Sequence, residues 1–352
     1  MSTVRTFDPD ALSAAPSPLM GEGWPAVSVP NRGEDRLLTE AELITATAAR
    51  SRSRLSTRPA WLARLSDYIE LTKPRISVMV LVTVAVAMFV GAWGPPAPWL
   101  LLHTLLGTAL VAASASALNQ RLERDTDARM ARTANRPLPS GRLSEGDVIA
   151  FGGVSIAAGL IYLGLAVNWL TAALGALTWV LYVAIYTPLK TRTPLNTVVG
   201  AVAGAMPTLM GFAAVGASFS LAPGGDGVTA ATLFLVVYLW QFPHFMAIAW
   251  IYRRDYAAAG LRMLTVTEPT GYLAGRQGLL AALALLPVSL APVLNHAGLA
   301  YFAAALVLGL AYLACAASFF YRRNETSAWR LLRTSLVYLP ALLILMMLAP
   351  LV

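Results

Sequence analysis

The sequence has almost no cysteine and very little charge. Its one cysteine, Cys315, lies inside an apolar run of the 352 residues. This excludes a disulfide framework, a cysteine-based metal site and redox chemistry on cysteine. Charged residues make up 12% of the chain and hydrophobic residues 57%, which is far from the composition of soluble domains. The sequence therefore predicts an all-α polytopic membrane protein.

Nine apolar stretches approach the roughly 20 residues that a membrane-spanning helix needs. All 26 Lys and Arg residues fall in the N-terminal segment or in the loops after spans two, four, six and eight. By the positive-inside rule we expect the N-terminus and these loops to be cytoplasmic and the C-terminus to be outside. The predicted spans are 76–95, 97–118, 147–167, 169–187, 197–218, 229–251, 277–294, 297–321 and 333–351.

The chain before the first span differs from the rest. Residues 1–59 are rich in Ser, Ala, Pro and Gly and have no long apolar run, which predicts a disordered cytoplasmic tail. Residues 60–75 mix apolar and charged positions at helical spacing, a pattern typical of a helix that lies on the membrane surface. Residues 76–352 then form the nine-helix domain.

The loop after span two contains the strongest chemical pattern, "NQRLERDTDARMARTANRPLPSGR" at 119–142. Asn119, Glu123 and Asp127 are four residues apart, so on a helix continuing from span two they share one face, and Asp125 lies off that face. Mg²⁺ prefers oxygen ligands and is often held by one or two carboxylates together with substrate phosphates. The surrounding arginines indicate an anionic guest. The pattern therefore predicts a Mg²⁺ site for a phosphorylated, lipidic ligand.

The same loop contains signals for where its helices end and begin. We expect the helix that continues span two not to extend beyond Met130, because Pro137 and Pro139 exclude it. Ser144 followed three residues later by Asp147 resembles a capping box at the start of span three.

Two other loops on the same side repeat the pattern more weakly. "YTPLKTRTPLN" after span four places Lys190 and Arg192 near Tyr186 and Asn196. "QFPHFMAIAWIYRRDYAAAGLRML" places His244 inside an apolar span. An ionisable residue within a span is costly to bury, so it marks a functional site by default. We therefore take His244 as a candidate ligand-binding residue.

Four segments together carry a family resemblance: "LTKPR", "LNQRLERDTDARMARTANRPLPSGR", "YTPLKTRTPLNTVVGAVAGAMPTLMGF" and "PHFMAIAWIYRRDYAAAGLRML". They resemble the protohaem IX farnesyltransferases, or haem O synthases, a branch of the UbiA superfamily of intramembrane prenyltransferases. The resemblance covers about residues 65–350. It implies nine helices around a central cavity, with diphosphate bound at the cytoplasmic end. It also implies the reaction of farnesyl diphosphate with haem B to give haem O and diphosphate.

The resemblance also implies roles for individual residues. The metal motif of the family corresponds to Asn119, Glu123 and Asp127. For His244 our own interpretation, beside the resemblance, is a contact to haem or its iron. The basic diphosphate contacts of the family correspond to Lys73, Arg75, Arg132, Arg136, Lys190 and Arg192.

The chain departs from the superfamily pattern at Asp255. Many members that act on phenolic acceptors have a second aspartate-rich motif after span six, but Asp255 has no acid four residues to either side. This departure leaves the ligands of a second Mg²⁺ open. It also weighs against the first alternative function, prenyl transfer to a quinone precursor or another aromatic acceptor. The other alternative is a transporter with a basic mouth, which the odd span number disfavours.

The expected cofactor is Mg²⁺, and haem B is expected as a substrate. The expected partners are farnesyl diphosphate, haem B and membrane lipids, with haem A synthase or oxidase assembly factors as candidates and no nucleic acid. The expected location is the bacterial inner membrane, where haem O serves the biogenesis of haem-copper terminal oxidases.

Overall fold

The computed structural model describes residues 59–222, 225–295 and 297–348, which form helices and turns and no strand. The tail predicted for residues 1–59, apart from Pro59, lies outside the described residues. So do the last residues of predicted span nine. In chain order the helices are α1 (Ala60–Leu71), α2 (Pro74–Gly91), α3 (Pro98–Leu122), α4 (Arg124–Ala128), α5 (Glu145–Ala166), α6 (Trp169–Trp179), α7 (Thr187–Leu189), α8 (Asn196–Ala214), α9 (Gly227–Ile251), α10 (Arg253–Ala258), α11 (Leu264–Thr267), α12 (Tyr272–Leu290), α13 (Leu299–Arg322) and α14 (Glu325–Leu348).

The described residues contain nine helices that are long and apolar enough to cross a membrane, as predicted. These spans are α2, α3, α5, α6 with its continuation to Leu189, α8, α9, α12, α13 and α14. The predicted starts of spans seven and nine were wrong, because the helices begin earlier, at Tyr272 and Glu325. The added turns carry Arg276 and Arg330, both exposed. A search for uncharged stretches omits such turns, although long arginine side chains can reach out of the apolar region.

The spans pack into one bundle with α8 at its centre. Consecutive spans contact each other, and α14 returns to contact both α9 and α2. Of the apolar window of α8, 72% is buried, compared with 28–50% for the other spans. At Gly211 of α8 a Cβ atom would lie 2.5 Å from the carbonyl oxygen of Val84. The glycine therefore allows α8 and α2 to approach closely, as small residues do between membrane helices.

The helix that carries the predicted metal ligands is bent rather than continuous. α3 ends at Leu122, and α4 begins after Glu123. Two backbone hydrogen bonds nevertheless keep the four-residue spacing, from Glu123 N to Asn119 O (3.0 Å) and from Asp127 N to Glu123 O (2.7 Å). The chain then turns, and the predicted capping box of Ser144 with Asp147 is present at the start of α5.

Span four is not α-helical along its whole length. Between α6 and α7, Val180–Tyr186 form a π-helix. Pro188 has no amide proton, and in an α-helix its ring would clash with the carbonyl four residues earlier, which gives a physical reason for the wider turn. Such π segments are frequent at functional sites. This π-helix was not predicted from the sequence.

Helix α1 is attached to the loop after span two. Arg142 binds the carboxylates of Asp67 and Glu70, the second at 2.8 Å, and donates to the carbonyl of Asn135 at 2.6 Å. The loop is therefore held in place by its contacts with α1 as well as by its connection to span two.

Candidate functional site: a cluster of paired charges

The three predicted metal ligands each bind one of the predicted diphosphate-binding cations. We call these six residues the paired cluster. Its hydrogen bonds, each 2.5 Å long, run from Lys73 Nζ to Asn119 Oδ1, from Lys190 Nζ to Glu123 Oε1 and from an Arg136 guanidinium nitrogen to Asp127 Oδ2. The structure thus brings together residues that are as many as 67 positions apart in the chain.

Lys73 is held in a strained backbone conformation at the start of span one. Its φ of 50° and ψ of 62° are left-handed, and the next residue, Pro74, opens α2. A left-handed non-glycine residue costs about 1–2 kcal/mol, and a residue before proline is normally extended. Strain of this kind persists where the surroundings fix it, and it concentrates at ligand sites.

Burial and pairing together set the protonation of the paired cluster. Burial lowers the pKa of Lys73 to about 8, although Glu123 opposes the shift. Burial also raises the pKa of Asp127, against the opposing effect of Arg136. Burial alone would raise the pKa of Glu123, but Lys190, Lys73 and the Asn119 amide together outweigh burial, so the pKa is lowered. Burial opposes the charge of Lys190 as well, but Glu123 and the neighbouring tyrosines raise its pKa. The charges are therefore stabilised mainly by each other.

The oxygen donors of the paired cluster fit Mg²⁺ shared with a phosphate ligand. Two carboxylates and one amide oxygen are hard donors of the type that Mg²⁺ prefers. Within the described ranges, no group of three His, Cys, Asp or Glu side chains is arranged to hold a metal. A closed, all-protein metal site is therefore not built here, and substrate oxygens and water would have to complete the coordination.

Thr187 is a member of the site that the sequence analysis missed. The Asn119 amide nitrogen donates to Thr187 Oγ1 at 2.9 Å, and that hydroxyl donates to the carbonyl of Tyr182 at 2.8 Å. Asn119 and Thr187 are both buried. The available signal was only a hydroxyl residue between Tyr186 and Lys190, where the span meets the basic loop.

Tyr186 lies beside the paired cluster, as its position near Lys190 suggested. The Lys190 ammonium lies 4.6 Å from the centroid of the Tyr186 ring, within the range of a cation–π interaction. The ring also packs on Gly200, where a Cβ atom would lie 2.6 Å from a ring carbon. The glycine therefore makes room for the tyrosine.

Three other predicted basic contacts lie outside the paired cluster. Arg132 instead stacks on Tyr252 and Tyr256, with its guanidinium carbon 5.0 Å and 5.3 Å from the ring centroids. Arg75 and Arg192 are exposed, and neither forms a side-chain ion pair with the part of the chain that the structure describes. The structure does not bring these three arginines to the metal-ligand face.

Asn196 and Asp255 have different surroundings. Asn196 is buried, and its amide donates to the carbonyls of Thr193 (2.6 Å) and Arg262 (3.2 Å). The amide of Arg262 donates in turn to the carbonyl of Lys190 at 2.7 Å. Asn196 therefore ties two loops together beside the site. Asp255 is half-buried in α10, without an ion pair to any described residue.

His244 has a structural partner that the sequence did not reveal. Its Nδ1 lies 2.7 Å from the Ser335 hydroxyl, and its ring stacks on Trp240 with centroids 4.8 Å apart. Trp240 donates to the carbonyl of Ser335 at 2.8 Å and accepts from Tyr312 at 3.0 Å. These four residues, which we call the span-six cluster, join α9, α13 and α14, none of which contributes a residue to the paired cluster.

Comparison with known proteins identifies the family. The profile of the UbiA prenyltransferase family matches residues 80–339. A protoheme IX farnesyltransferase of Solibacter usitatus is 45% identical over 81% of this chain and 98% of its own length. Another, from Koribacter versatilis, is 43% identical over 83% and 95%.

Solved structures share the fold. The structure from a study of digeranylgeranylglyceryl phosphate synthase aligns with a TM-score of 0.69 at 14% identity, over 82% of this chain and 99% of that one. A UbiA homologue from Archaeoglobus fulgidus bound to GPP and Mg²⁺ aligns with a TM-score of 0.57 at 14% identity, over 80% and 99%. Together with the profile and the sequence relatives, this shows that the chain is a multi-pass membrane protein belonging to the UbiA prenyltransferase family.

Proposed function

We propose that the protein transfers the farnesyl group of farnesyl diphosphate to a vinyl group of haem B, giving haem O and diphosphate. The observation that carries the proposal is the paired cluster, because it combines oxygen ligands for Mg²⁺ with three cations for diphosphate. The names of the relatives, at 43–45% identity, support haem as the acceptor. They favour it over the quinone-precursor alternative, and the family disfavours the transporter.

In this proposal the three hydrogen-bonded pairs of the paired cluster occupy the positions that Mg²⁺ and diphosphate take when they bind. When the substrate binds, Lys73, Arg136 and Lys190 exchange their protein acceptors for diphosphate oxygens, with which cations form strong charge-assisted bonds. Asn119, Glu123 and Asp127 are then free to hold Mg²⁺, which would neutralise part of the charge on the leaving diphosphate. Arg75, Arg132 and Arg192 are proposed as outer diphosphate contacts, and Tyr186, Asn196 and Asp255 as further substrate-site residues.

The reaction needs charge stabilisation at the diphosphate and exclusion of water at the farnesyl carbon. As the allylic C–O bond breaks, its electron pair leaves with diphosphate, and cations already in place stabilise the growing negative charge. The vinyl group of haem then attacks the farnesyl carbon and forms the new C–C bond. The apolar spans keep water away until that bond exists. Water then adds to the resulting cation and loses a proton, which gives the hydroxyethylfarnesyl group.

We assign His244 to haem, through its iron or a propionate. Imidazole is a common iron ligand, and the apolar span that carries it suits a porphyrin. The Ser335 hydroxyl would hold the ring through Nδ1, which leaves the other ring nitrogen to face haem.

The proposed arrangement in the bacterial inner membrane has a cytoplasmic tail (1–59), an interfacial segment (60–75) and the nine-helix domain (76–352). On α1, Trp61, Leu65 and Ile69 recur every four residues and are exposed, and we propose that they lie in membrane lipid. Haem A synthase or oxidase assembly factors are proposed partners, because they would accept haem O.

The proposed orientation can be tested by thiol labelling in a Cys315→Ser background. Cysteines placed near Asp226 and Asn295 should react with a membrane-impermeant reagent from outside intact cells. Cysteines near Ser140 and Gly260 should not. Reversed labelling would overturn both the orientation and the cytoplasmic diphosphate site.

The activity can be tested with purified protein, farnesyl diphosphate, Mg²⁺ and haem B. The proposal expects a haem product heavier by one farnesyl group and one hydroxyl, together with released diphosphate. Prenylation of a phenolic acceptor in place of haem would support the aromatic alternative. Intact farnesyl diphosphate, under conditions where the protein binds it, would contradict the enzymatic assignment.

A further inference from the structure

We propose that Thr187 is a positioning residue that orients the amide of Asn119, so that its oxygen and not its nitrogen faces the metal. This inference rests on the proposed function, because it takes Asn119 as a Mg²⁺ ligand. The juxtaposition that carries it is a three-member chain of hydrogen bonds, from Asn119 to Thr187 to the carbonyl of Tyr182.

The direction of each hydrogen bond is fixed by chemistry. The Tyr182 carbonyl is only an acceptor, so the single hydroxyl proton of Thr187 is committed to it at 2.8 Å. The hydroxyl oxygen is then available to Asn119 only as an acceptor. The NH₂ group of Asn119 must therefore point at Thr187, 2.9 Å away. At the other end of the amide, Oδ1 accepts from the Lys73 ammonium, so both ends require the same orientation.

The π-helix places the Thr187 hydroxyl for this task. In an α-helix a threonine hydroxyl reaches the carbonyl three or four residues earlier, whereas here it reaches the fifth, at Tyr182. The backbone N–H of Thr187 donates to the same carbonyl, which has two lone pairs and can accept both. Asn119 is fully buried and Thr187 is 4% exposed, so bulk water has little access to replace the hydroxyl.

The orientation matters because an asparagine has one oxygen and one nitrogen at its tip. A flipped amide would turn two N–H donors toward the metal and lose a ligand. An aspartate has oxygens at both positions and would not depend on the flip. Groups that orient metal ligands typically contribute 10- to 100-fold in metal affinity.

The test uses Thr187→Val, which keeps the shape and removes the hydroxyl, and Thr187→Ser, which keeps the hydroxyl. The quantity measured is the Mg²⁺ concentration that gives half-maximal binding of a farnesyl thiodiphosphate. It should rise about 10- to 100-fold for Thr187→Val and stay within about threefold for Thr187→Ser. With Mn²⁺ as the probe, the electron paramagnetic resonance spectrum of bound metal should change in Thr187→Val only. Thermal unfolding checks that each variant is folded.

A background of Asn119→Asp separates positioning from a general structural effect. In that background Thr187→Val should cost less than about threefold, because either terminal oxygen can serve as ligand. An equal cost in both backgrounds, or no cost in the Asn119 background, would overturn the inference. If Asn119→Ala leaves the Mg²⁺ requirement unchanged, the metal assignment and this inference both fail. Farnesylation of haem by the unmodified protein would still stand in that case.

Discussion

The paired cluster and the span-six cluster are both polar groups in an apolar protein, but they are satisfied in different ways. In the paired cluster every predicted ligand is matched by a cation. In the span-six cluster His244 and Trp240 form neutral hydrogen bonds to Ser335. Desolvating charges is costly, and a buried pair often only breaks even against apolar packing. Paired charges therefore indicate ligand binding more strongly than a histidine with a neutral partner does.

The largest expected effect is on turnover when a paired carboxylate is neutralised. Asp127→Asn or Glu123→Gln should lower kcat at least about 100-fold, because metal and diphosphate charge would no longer be matched. Asp125, which is exposed, provides the matched control, and Asp125→Asn should cost less than about threefold. Steady-state rates at saturating Mg²⁺ test the comparison, and similar losses at Asp125 and Asp127 would refute the one-face arrangement.

The next largest effect is expected for Arg136. The Asp127 side chain is only 2% exposed, so Arg136→Gln is preferred to alanine because it leaves a donor for the carboxylate. A lost charged hydrogen bond is worth about 1.5–3 kcal/mol, so affinity for farnesyl thiodiphosphate should fall about 10- to 100-fold. Haem affinity, followed by the Soret band, should not change. A parallel loss of haem binding would mean that the two sites are not separable.

His244→Ala should give the opposite pattern. Haem affinity should fall about tenfold, the equivalent of about 1.4 kcal/mol, while affinity for the thiodiphosphate stays within about threefold. Ser335→Ala is the matched control, because it removes the hydrogen-bond partner and keeps the imidazole. Because Ser335 holds the imidazole ring, Ser335→Ala should weaken haem binding in the same direction but by less. A larger loss for Ser335→Ala than for His244→Ala would show that His244 does not itself contact haem. Loss of the thiodiphosphate with normal haem binding would assign His244 to the phosphate site.

The smallest effect is expected for an exposed ion pair outside both clusters. Arg64 lies 3.1 Å from Asp147, with side-chain exposures of 61% and 30%, and such exposed pairs contribute little to stability. Arg64→Ala should therefore shift the Tm by about 2 °C or less. Arg142→Ala should shift the Tm more, because Arg142 binds two carboxylates, a carbonyl and the Ser140 hydroxyl. A larger shift for Arg64→Ala would show that exposed charges stabilise this protein unusually well.

The parts of the fold that were predictable from the sequence depend on local signals. The number of spans follows from apolar run length, and the capping box follows from Ser144 and Asp147 alone. The starts of α12 and α14 did not follow, because arginines at helix ends interrupt the apolar signal. The π-helix was also not predicted, because Pro188 indicates an irregular turn without specifying which kind of helix precedes it.

The site was predictable as a set of residues but not as a set of contacts. The spacing of Asn119, Glu123 and Asp127 indicated oxygen ligands on one face. Their pairing with particular cations depends on how distant spans pack, as does the bond between His244 and Ser335, which are 91 residues apart. Thr187 was missed for the same reason, because the sequence does not show that its hydroxyl lies against Asn119.

The central claim is that the paired cluster gives up its internal bonds to bind Mg²⁺ and diphosphate. The most direct measurement is an experimental structure of the protein with Mg²⁺ and farnesyl thiodiphosphate. If the claim is right, we expect Mg²⁺ about 2.1 Å from oxygens of Asn119, Glu123 and Asp127. We also expect phosphate oxygens about 2.8 Å from Lys73, Arg136 and Lys190, with all three protein pairs separated. Intact pairs with the analogue and metal bound elsewhere would contradict it.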